Sequence, residues 1–170
     1  MAAAQGNRAR AAGDTDAALW GGTTMTVAGV QVLISHDDLA GVLPTPPLAH
    51  LPGSPAWLAG VGGHAGEILC VIDSGAWLTR VPSSPERRRF CALLAVDGAR
   101  FALTVDALGV DCWLPVSERD FEAPMAPALV PYSLGAFPVD GAMAPVLDGH
   151  LLMDSLRDAG LRTSDAGASG

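Results

Sequence analysis

The residues with the greatest potential for covalent chemistry are Cys70, His64 and Asp73, a thiol, an imidazole and a carboxylate in one short stretch. A nucleophile, a base and a group that orients the base are the parts of a cysteine-dependent hydrolase or transferase. Cys70 stands in an apolar run typical of a strand, however, and residues an odd number of positions apart face opposite sides of a strand. Cys70 and Asp73 would therefore point apart. We expect a core cysteine and a loop histidine, and a small enzyme around Cys70 and His64 remains an alternative.

Metal-ligand patterns are weak in the rest of the chain. The segment His36–Asp38 offers an imidazole and two carboxylates, but no other cluster with ligand spacing accompanies it, so we expect a solvated turn. The cysteines Cys70, Cys91 and Cys112 lie far apart and include no Cys-x-x-Cys pair. They predict buried free thiols in a reducing compartment. We expect no metal, no cofactor and no catalytic residue.

The charge balance argues against nucleic acid as a partner. The chain has 10 basic residues, all arginine, against 18 acidic ones, which gives a formal net charge of −8. Phosphate binding needs clustered positive charge. The run Glu86–Arg89 is short and is expected to form a solvated loop that leads into a strand. The glycines of Gly60–Gly63 open no helix, so they do not form a phosphate-binding loop.

Length and hydropathy predict one cytoplasmic domain with no membrane insertion. The 170 residues are 49% hydrophobic with a mean hydropathy of +0.32, which excludes a wholly disordered chain. The longest apolar runs, such as Cys91–Val96, are far shorter than the roughly 20 residues of a spanning helix. No apolar signal segment follows Arg8 and Arg10. We expect a disordered lead-in over residues 1–22, a folded domain over 23–160 and a disordered tail over 161–170.

The hydrophobic pattern predicts mainly β structure. Asp97-Gly98 and Asp140-Gly141 each separate two apolar runs, and Asp-Gly is a strong hairpin signal because both turn residues need a positive φ. Ala28-Gly29 predicts a further, opening hairpin. Several strands are apolar on both faces, as in Cys91–Val96, which indicates sheets covered on two sides. Helix signals are limited to Gly149–Ala159, with Asp148 as the N-cap, and to a single turn over 37–42. The expected strands are 25–27, 30–34, 68–72, 90–96, 101–105, 110–114, 134–139 and 143–147.

Three blocks of the chain, in order and with kept spacing, resemble the CheW-like family of chemotaxis coupling proteins. The first runs from Leu51 to Val61 and continues through Gly66–Asp73, where the family has a proline-led turn, a glycine-rich segment and a strand that ends in Asp. The second is Phe101–Val110, which resembles the family's Val-Asp-x-Val strand. The third is Met143–Asp148 with Leu152-Met153. The turn at Trp57 and the arginine-rich lead into Phe90 look most like the PilI-like branch that serves type IV pilus, or twitching, systems.

The resemblance implies a fold and a role. The fold would be two small, intertwined, five-stranded SH3-like β-barrels that share a hydrophobic seam, followed by a short C-terminal helix. The role would be a non-enzymatic adaptor between the cytoplasmic tip of a chemoreceptor and the regulatory domain of a CheA-type histidine kinase. A diverged CheW-like module with other partners is the second interpretation.

The resemblance also implies which residues contact partners, and three of these positions depart from the family. Gly41, Gly63 and Ala65 stand where the family has Glu, Asn and Arg. These departures remove polar contacts, and a lost charged hydrogen bond at a buried interface costs about 2–3 kcal/mol. The implied partner-binding residues are Leu39, Gly41, Gly60, Val61, Gly63, Ala65, Gly66 and Asp106.

Overall fold

The structure is a computed structural model that describes residues 18–160. The predicted tail and residues 1–17 of the predicted lead-in lie outside the described residues. The first strand begins at Leu19, so the last four residues of that lead-in, 19–22, belong to the sheet. The chain enters its fold earlier than its composition indicates because two tryptophans pack on the glycines at 21 and 22.

The described residues form ten strands and two α-helices, which agrees with the mainly β prediction. Three short 3-10 helices cover Pro85–Arg88, Val116–Glu118 and Pro127–Tyr132. The α-helices are α1, Ser74–Thr79, and α2, Gly149–Asp158. The strands are β1 Leu19–Val27, β2 Val30–Ser35, β3 Leu39–Pro44, β4 Leu58–His64, β5 Glu67–Ile72, β6 Phe90–Val96, β7 Ala99–Val105, β8 Ala107–Pro115, β9 Ser133–Val139 and β10 Ala142–Leu147.

The strands form two five-stranded sheets of the same topology. One sheet has the order β8-β1-β2-β10-β9 and takes its strands from both ends of the described chain, so we name it the terminal barrel. The other has the order β3-β6-β7-β5-β4 and is inserted between β2 and β8, so we name it the central barrel. In each sheet two antiparallel hairpins meet at one short parallel pairing, Val146–Leu147 with β2 or Val71–Ile72 with β7. The predicted pair of intertwined barrels is confirmed.

The register shows that the two barrels are structural repeats. In the central barrel Val61 pairs with Cys70, and at the same spacing in the terminal barrel Ala136 pairs with Pro145. Each hairpin is followed by an aspartate, Asp73 or Asp148, whose side chain caps a helix. The equivalences used below follow from this register: Gly63 with Pro138, Ile68 with Met143, Ala65 with Asp140, Gly60 with Gly135, and Trp57 with Tyr132.

Apolar residues on both faces of the strands fill three clusters. All five strands of each sheet contribute to a cluster of their own, so each sheet curls around its own core. The opposite faces of the same strands meet in a third cluster, the seam. Leu93 belongs to the central barrel's core, for example, whereas its neighbours Ala92 and Leu94 belong to the seam. This alternation explains why runs such as Cys91–Val96 carry no polar position.

One local expectation was wrong. The single helical turn expected over 37–42 is instead a turn followed by β3, which pairs with β6. Sequence patterns gave no signal of α1, a helix buried on the seam, because it is only six residues long. Sequence patterns also missed β4, whose glycines have low strand propensity and are held by pairing with β5.

Candidate docking surface on the central barrel

Five of the eight implied partner-binding residues come together on the hairpin of β4 and β5. Gly60, Val61 and Gly63 lie on β4, and Ala65-Gly66 forms the turn. The other three lie elsewhere. Leu39 and Gly41 are on β3, at the opposite edge of the same sheet, and Asp106 lies where β7 crosses into the terminal barrel.

The backbone of β4 leaves an open edge beside Gly63. Val61 exchanges two hydrogen bonds with Ala49, of 2.8 and 3.0 Å, which cover the outer edge of β4 at that point. Backbone groups alternate in direction along a strand, so the N–H and C=O of Gly63 point to the same outer edge. Gly60 has a φ of +151° and a Cβ there would lie 2.8 Å from the Ala49 carbonyl oxygen, so only glycine fits beside this bridge. An exposed edge of this kind can pair with another chain.

An apolar groove of about 380 Å³ runs along this edge. Its most prominent side chain is Ile68, which is 78% exposed although it is a large aliphatic residue in a strand. Gly63, opposite Ile68 in the register, contributes no side chain, and a Cβ there would meet nothing within 4 Å. Exposed apolar surface around an open groove is typical of protein-binding sites. The groove is lined by Pro47, Leu48, Ala49, Val61, Gly62, Gly63 and Ile68.

The equivalent edge of the terminal barrel is occupied by the chain's own side chains. Pro138 stands in place of Gly63, where it removes a backbone donor. Arg119 lies over the rings of Phe121, Phe137 and Trp20, at 4.9, 5.7 and 5.9 Å from their centroids. Its guanidinium also donates to the Leu134 carbonyl at 2.6 Å and 2.9 Å. Arg119 therefore covers the terminal barrel's outer edge near Leu134, and Pro138 and Met143 stand where the central barrel has Gly63 and Ile68.

A buried carboxylate fixes the base of the β4–β5 hairpin. Asp73 is fully buried, and its side chain accepts hydrogen bonds from Ala76 N, from Ser83 N and Oγ, and from Arg88 Nη2 at 2.6 Å. Burial raises the pKa of Asp73, but the hydrogen bonds from Ser83, Ala76 and Arg88 outweigh it, so the pKa lies below its usual value. The backbone N–H of Asp73 donates to the Trp57 carbonyl at 2.8 Å. The start of β4 and the end of β5 are thus held together.

Arg88 was expected in a solvated loop, and that expectation was wrong. Its guanidinium is half-buried and forms a 2.6 Å ion pair with Asp73. Sequence reasoning missed this pair because the two residues lie on different elements, α1's N-cap and a 3-10 helix. An arginine just before a strand gives no signal of the carboxylate that it reaches.

Trp77, which sequence reasoning also missed, joins the barrels. Its ring contacts Trp57 of the central barrel at 4.9 Å and Tyr132 of the terminal barrel at 5.8 Å. Because Trp57 and Tyr132 are equivalent residues of the repeat, Trp77 sits between two related positions. A tryptophan in a short run such as Ser74–Thr79 could have been recognised as a candidate for the seam.

The edge strands β3 and β8 carry further exposed apolar side chains. They are equivalent in the two sheets, and each pairs with a strand whose inner face lies in the seam. Leu39 packs partly on the seam, and Gly41 leaves open space beside it. Leu108 and Val110 on β8 and Val42 on β3 are exposed. These exposed side chains are a second set of apolar positions, on strands other than those of the groove.

Asp106 holds the two barrels together at the crossover from β7 to β8. Its carboxylate accepts a 2.7 Å hydrogen bond from Gly29 N in the first hairpin of the terminal barrel, and its own N–H donates to the Thr26 carbonyl. The side chain is nearly buried. Its contacts make Asp106 a residue that positions one barrel against the other.

The structure does not assemble the cysteine-dependent site. Cys70 lies opposite Val61, whereas His64 lies opposite Glu67, so by register they are on opposite faces of the hairpin. Burial raises the pKa of the Cys70 thiol, which lowers its reactivity. The Asp73 carboxylate is committed to α1, Ser83 and Arg88. The three residues therefore cannot act as nucleophile, base and orienter.

The Asp38 carboxylate of the predicted turn at His36–Asp38 has a structural partner. Asp38 accepts a 2.9 Å hydrogen bond from Gly149 N at the start of α2. Burial raises the pKa of Asp38, although this hydrogen bond opposes the shift. A cluster of Asp38, Asp148 and His150 has metal-ligating atoms close together, but two of its carboxylates serve as helix caps at the start of α2.

Comparisons with known proteins agree with this architecture. The family model of the CheW-like domain matches residues 22–157. Among solved structures, the scaffolding protein TtCheW from Thermoanaerobacter tengcongensis has a similar fold, with a TM-score of 0.71 at 16% sequence identity over 79% of this chain and 92% of that one. No curated protein sequence matches the chain. Within residues 18–160 no helix is both long and apolar enough to cross a bilayer. With the matched region spanning both barrels and α2, the chain belongs to the CheW-like domain family.

Proposed function

We propose that this chain is a non-enzymatic adaptor that couples a methyl-accepting chemoreceptor to a CheA-type histidine kinase in a two-component chemosensory pathway. The observation that carries the proposal is the open groove along β4 and β5. Five residues that the family resemblance implies for partner binding gather there, and the equivalent edge of the terminal barrel has Pro138 in place of Gly63. A scaffold needs such an unfilled apolar surface, and a rigid hairpin base to present it.

The two apolar surfaces suit two partners. The groove, with its open strand edge at Gly63, fits a barrel of the kinase regulatory domain, which would add backbone hydrogen bonds and bury Ile68. The exposed residues of β3 and β8, Val42, Leu108 and Val110, fit the apolar face of a receptor helix beside the seam. The adaptor would act in the cytoplasm and be recruited to membrane-associated receptor arrays.

Apolar contacts must supply more of the affinity here than in a typical family member. Gly41, Gly63 and Ala65 bring no polar side chain where the family has Glu, Asn and Arg, and Gly41 and Gly63 face open space. This observation favours a second candidate, a diverged CheW-like module with the same groove but other protein partners. The two candidates differ in which protein the groove retains.

The proposed output is type IV pilus motility. The support is the resemblance of the Trp57 turn and of the arginine-rich lead into Phe90 to that branch. Both segments have structural roles, Trp57 on Trp77 and Arg88 on Asp73. A deletion of the gene that abolishes twitching but leaves flagellar swimming intact supports this output, and the reverse phenotype contradicts it.

Capture of purified partners tests the adaptor role. The immobilised chain should retain the regulatory domain of a CheA-type kinase from the same organism, and Ile68→Asp should reduce that retention more than tenfold, because it places a charge in an apolar groove. Met143→Asp is the matched control, since Met143 is the equivalent residue of the terminal barrel and should leave retention unchanged. If the wild-type chain retains neither kinase nor receptor, the diverged module replaces the adaptor. If both variants bind as the wild type does, the groove is not the docking surface.

A further inference from the structure

A polar cavity of about 220 Å³ lies where the first hairpin of the terminal barrel meets the central barrel. Ala28, from the turn between β1 and β2, forms one wall. Other walls include Thr79, the last residue of α1, Val81 just after it, and Ser84 and Arg87 at the first 3-10 helix. This cavity shares no residue with the groove or with the edge strands β3 and β8.

Two hydrogen-bond donors in this cavity have no partner among residues 18–160. The guanidinium of Arg87 is 55% exposed, and its described contact is with Asp106 Oδ2 at 3.9 Å, beyond hydrogen-bond distance. The hydroxyl of Ser84 makes no capping hydrogen bond, although Ser84 occupies the N-cap position. The neighbouring Ser83 and Thr79 hydroxyls, by contrast, are bonded to Asp73 and to the Gly75 carbonyl.

The exposed charge around the cavity is positive, although the chain as a whole is acidic. Arg80, Arg87 and Arg89 are exposed, against one exposed carboxylate in this stretch, Glu86. The carboxylate of the nearby Asp73 is already paired with Arg88. The side chain of Asp106 is only 10% exposed; its Oδ2 accepts a hydrogen bond from Gly29 N, and its buried Oδ1 has no hydrogen-bond partner among residues 18–160. With a net charge of −8, the rest of the surface repels anions, so an acidic group is steered to this location.

We propose that this cavity binds a carboxylate side chain of an acidic, partly apolar segment on a partner protein. The carboxylate takes hydrogen bonds from Arg87 and from the Ser84 hydroxyl, and its methylene stem packs on Val81 and Ala28. Arginine suits this role because its planar donors match a carboxylate, and one of its nitrogens can still face Asp106. The site goes beyond the adaptor proposal, since it requires neither the groove nor the receptor-facing strands.

Titration of the isotope-labelled full chain, followed by amide chemical shifts, tests this site. The probe is the blocked peptide acetyl-Leu-Glu-Leu-Glu-amide, and its control is the same peptide with Gln in place of Glu. We expect the Glu peptide to shift the amides of Val81, Ser84 and Arg87, and added salt to weaken the effect. Arg87→Gln should weaken binding about fivefold, whereas Arg157→Gln, on the exposed end of α2, should not change it.

Three results would overturn the proposal. The first is an absence of shifts over residues 79–87, and the second is equal binding of the Gln peptide. The third is that acetate or inorganic phosphate alone, at the same concentration, reproduces the shifts and the affinity, which would identify a site for free anions. Because Arg87 is exposed, an unchanged spectrum outside residues 79–89 verifies that the Arg87→Gln variant is folded, and Ser84→Ala gives an independent, smaller loss.

Discussion

The terminal and central barrels share one topology, but the side chains on the outer edges of their second hairpins differ. The terminal barrel carries Pro138 and the stack of Arg119 on Phe121 along the outer edge of its β9–β10 hairpin. The central barrel has Gly63 in place of Pro138 and Ile68, 78% exposed, in place of Met143, 39% exposed, and a groove lies beside them. Since register, turns and cores correspond, the difference lies in a few side chains on one edge. In a repeated fold, the copy that lacks its own filling is the one available to partners.

The two aspartates that cap a helix after each hairpin, Asp73 and Asp148, should differ most in how much free energy of unfolding is lost on their removal. Asp73→Ala should destabilise the protein by about 3–5 kcal/mol, because it leaves the half-buried Arg88 without its counter-ion and orphans the Ser83 donors. Asp148→Ala removes one capping bond, from Leu151 N, and should cost about 1 kcal/mol. Urea unfolding of both variants gives the two values. Equal losses would show that the central barrel does not depend more on its cap.

The carboxylates of Asp73 and Asp38 give opposite dependences of stability on pH. The folded-state pKa of Asp73 lies below its unfolded value of about 3.9, so its stabilisation is present above that value and is lost as the pH falls through the folded pKa. Asp38 has a raised folded pKa because of its burial, so its contribution is largest at low pH and is lost as the pH rises. The stability difference between wild type and Asp73→Asn should shrink below about pH 4. For Asp38→Asn the balance should shift toward the variant as the pH rises from 3 to 7.

Truncation can remove the start of β1 in the terminal barrel, including Trp20 beneath Arg119. Deletion of residues 1–20 takes away Trp20, whose ring stacks on Phe137 at 5.0 Å, and should cost about 3 kcal/mol. Deletion of residues 1–17 leaves β1 whole and should leave the unfolding midpoint unchanged. Thermal and urea unfolding of the two truncations measure the difference. A loss of the same size in both would mean that residues before 18 contribute to the fold.

Two glycines of β4, Gly60 and Gly63, should differ in how much stability the protein loses when each is replaced by alanine. Gly60→Ala places a Cβ 2.8 Å from the Ala49 carbonyl at a φ of +151° and should cost about 2 kcal/mol. Gly63→Ala, three residues along the same strand, meets open space and should change stability by less than about 0.5 kcal/mol. Unfolding midpoints compare the two. If Gly63→Ala is the more damaging change, the open edge described at Gly63 is wrong.

The elements that the sequence predicted are those whose conformation depends on residues close in sequence. Asp97-Gly98 and Asp140-Gly141 marked hairpins because a two-residue turn needs positive φ at both positions, which is a local requirement. The doubly apolar run Cys91–Val96 indicated a sheet with two covered faces, and the seam confirms it. By contrast, β4 has a glycine-rich sequence whose strand conformation is set by β5 and Ala49, and no local pattern records those partners.

The candidate site was predictable only where its residues are neighbours in sequence. Gly60, Val61 and Gly63 lie on one strand, so the resemblance placed them together. Leu39 and Gly41 follow a crossover from the other barrel, and their position at the far edge depends on the order of the strands. The pair of Asp73 with Arg88 and the filling of the terminal barrel by Arg119 depend on tertiary contacts, which composition and periodicity do not encode.

The hairpin turns provide the smallest and most direct test of the comparison between the barrels. The turn of the terminal barrel, Asp140-Gly141, and that of the central barrel, Ala65-Gly66, have nearly the same backbone, with φ of 50° and 84° against 51° and 81°. Alanine is disfavoured at such a φ, whereas Asn and Asp tolerate it because their side chains bond locally. Ala65→Asn should therefore stabilise the protein by about 0.5 kcal/mol, and Asp140→Ala should destabilise it by a similar amount, both measured by urea unfolding. If Ala65→Asn is destabilising, the two turns are not interchangeable, and Ala65 is held in its conformation by something other than the repeat.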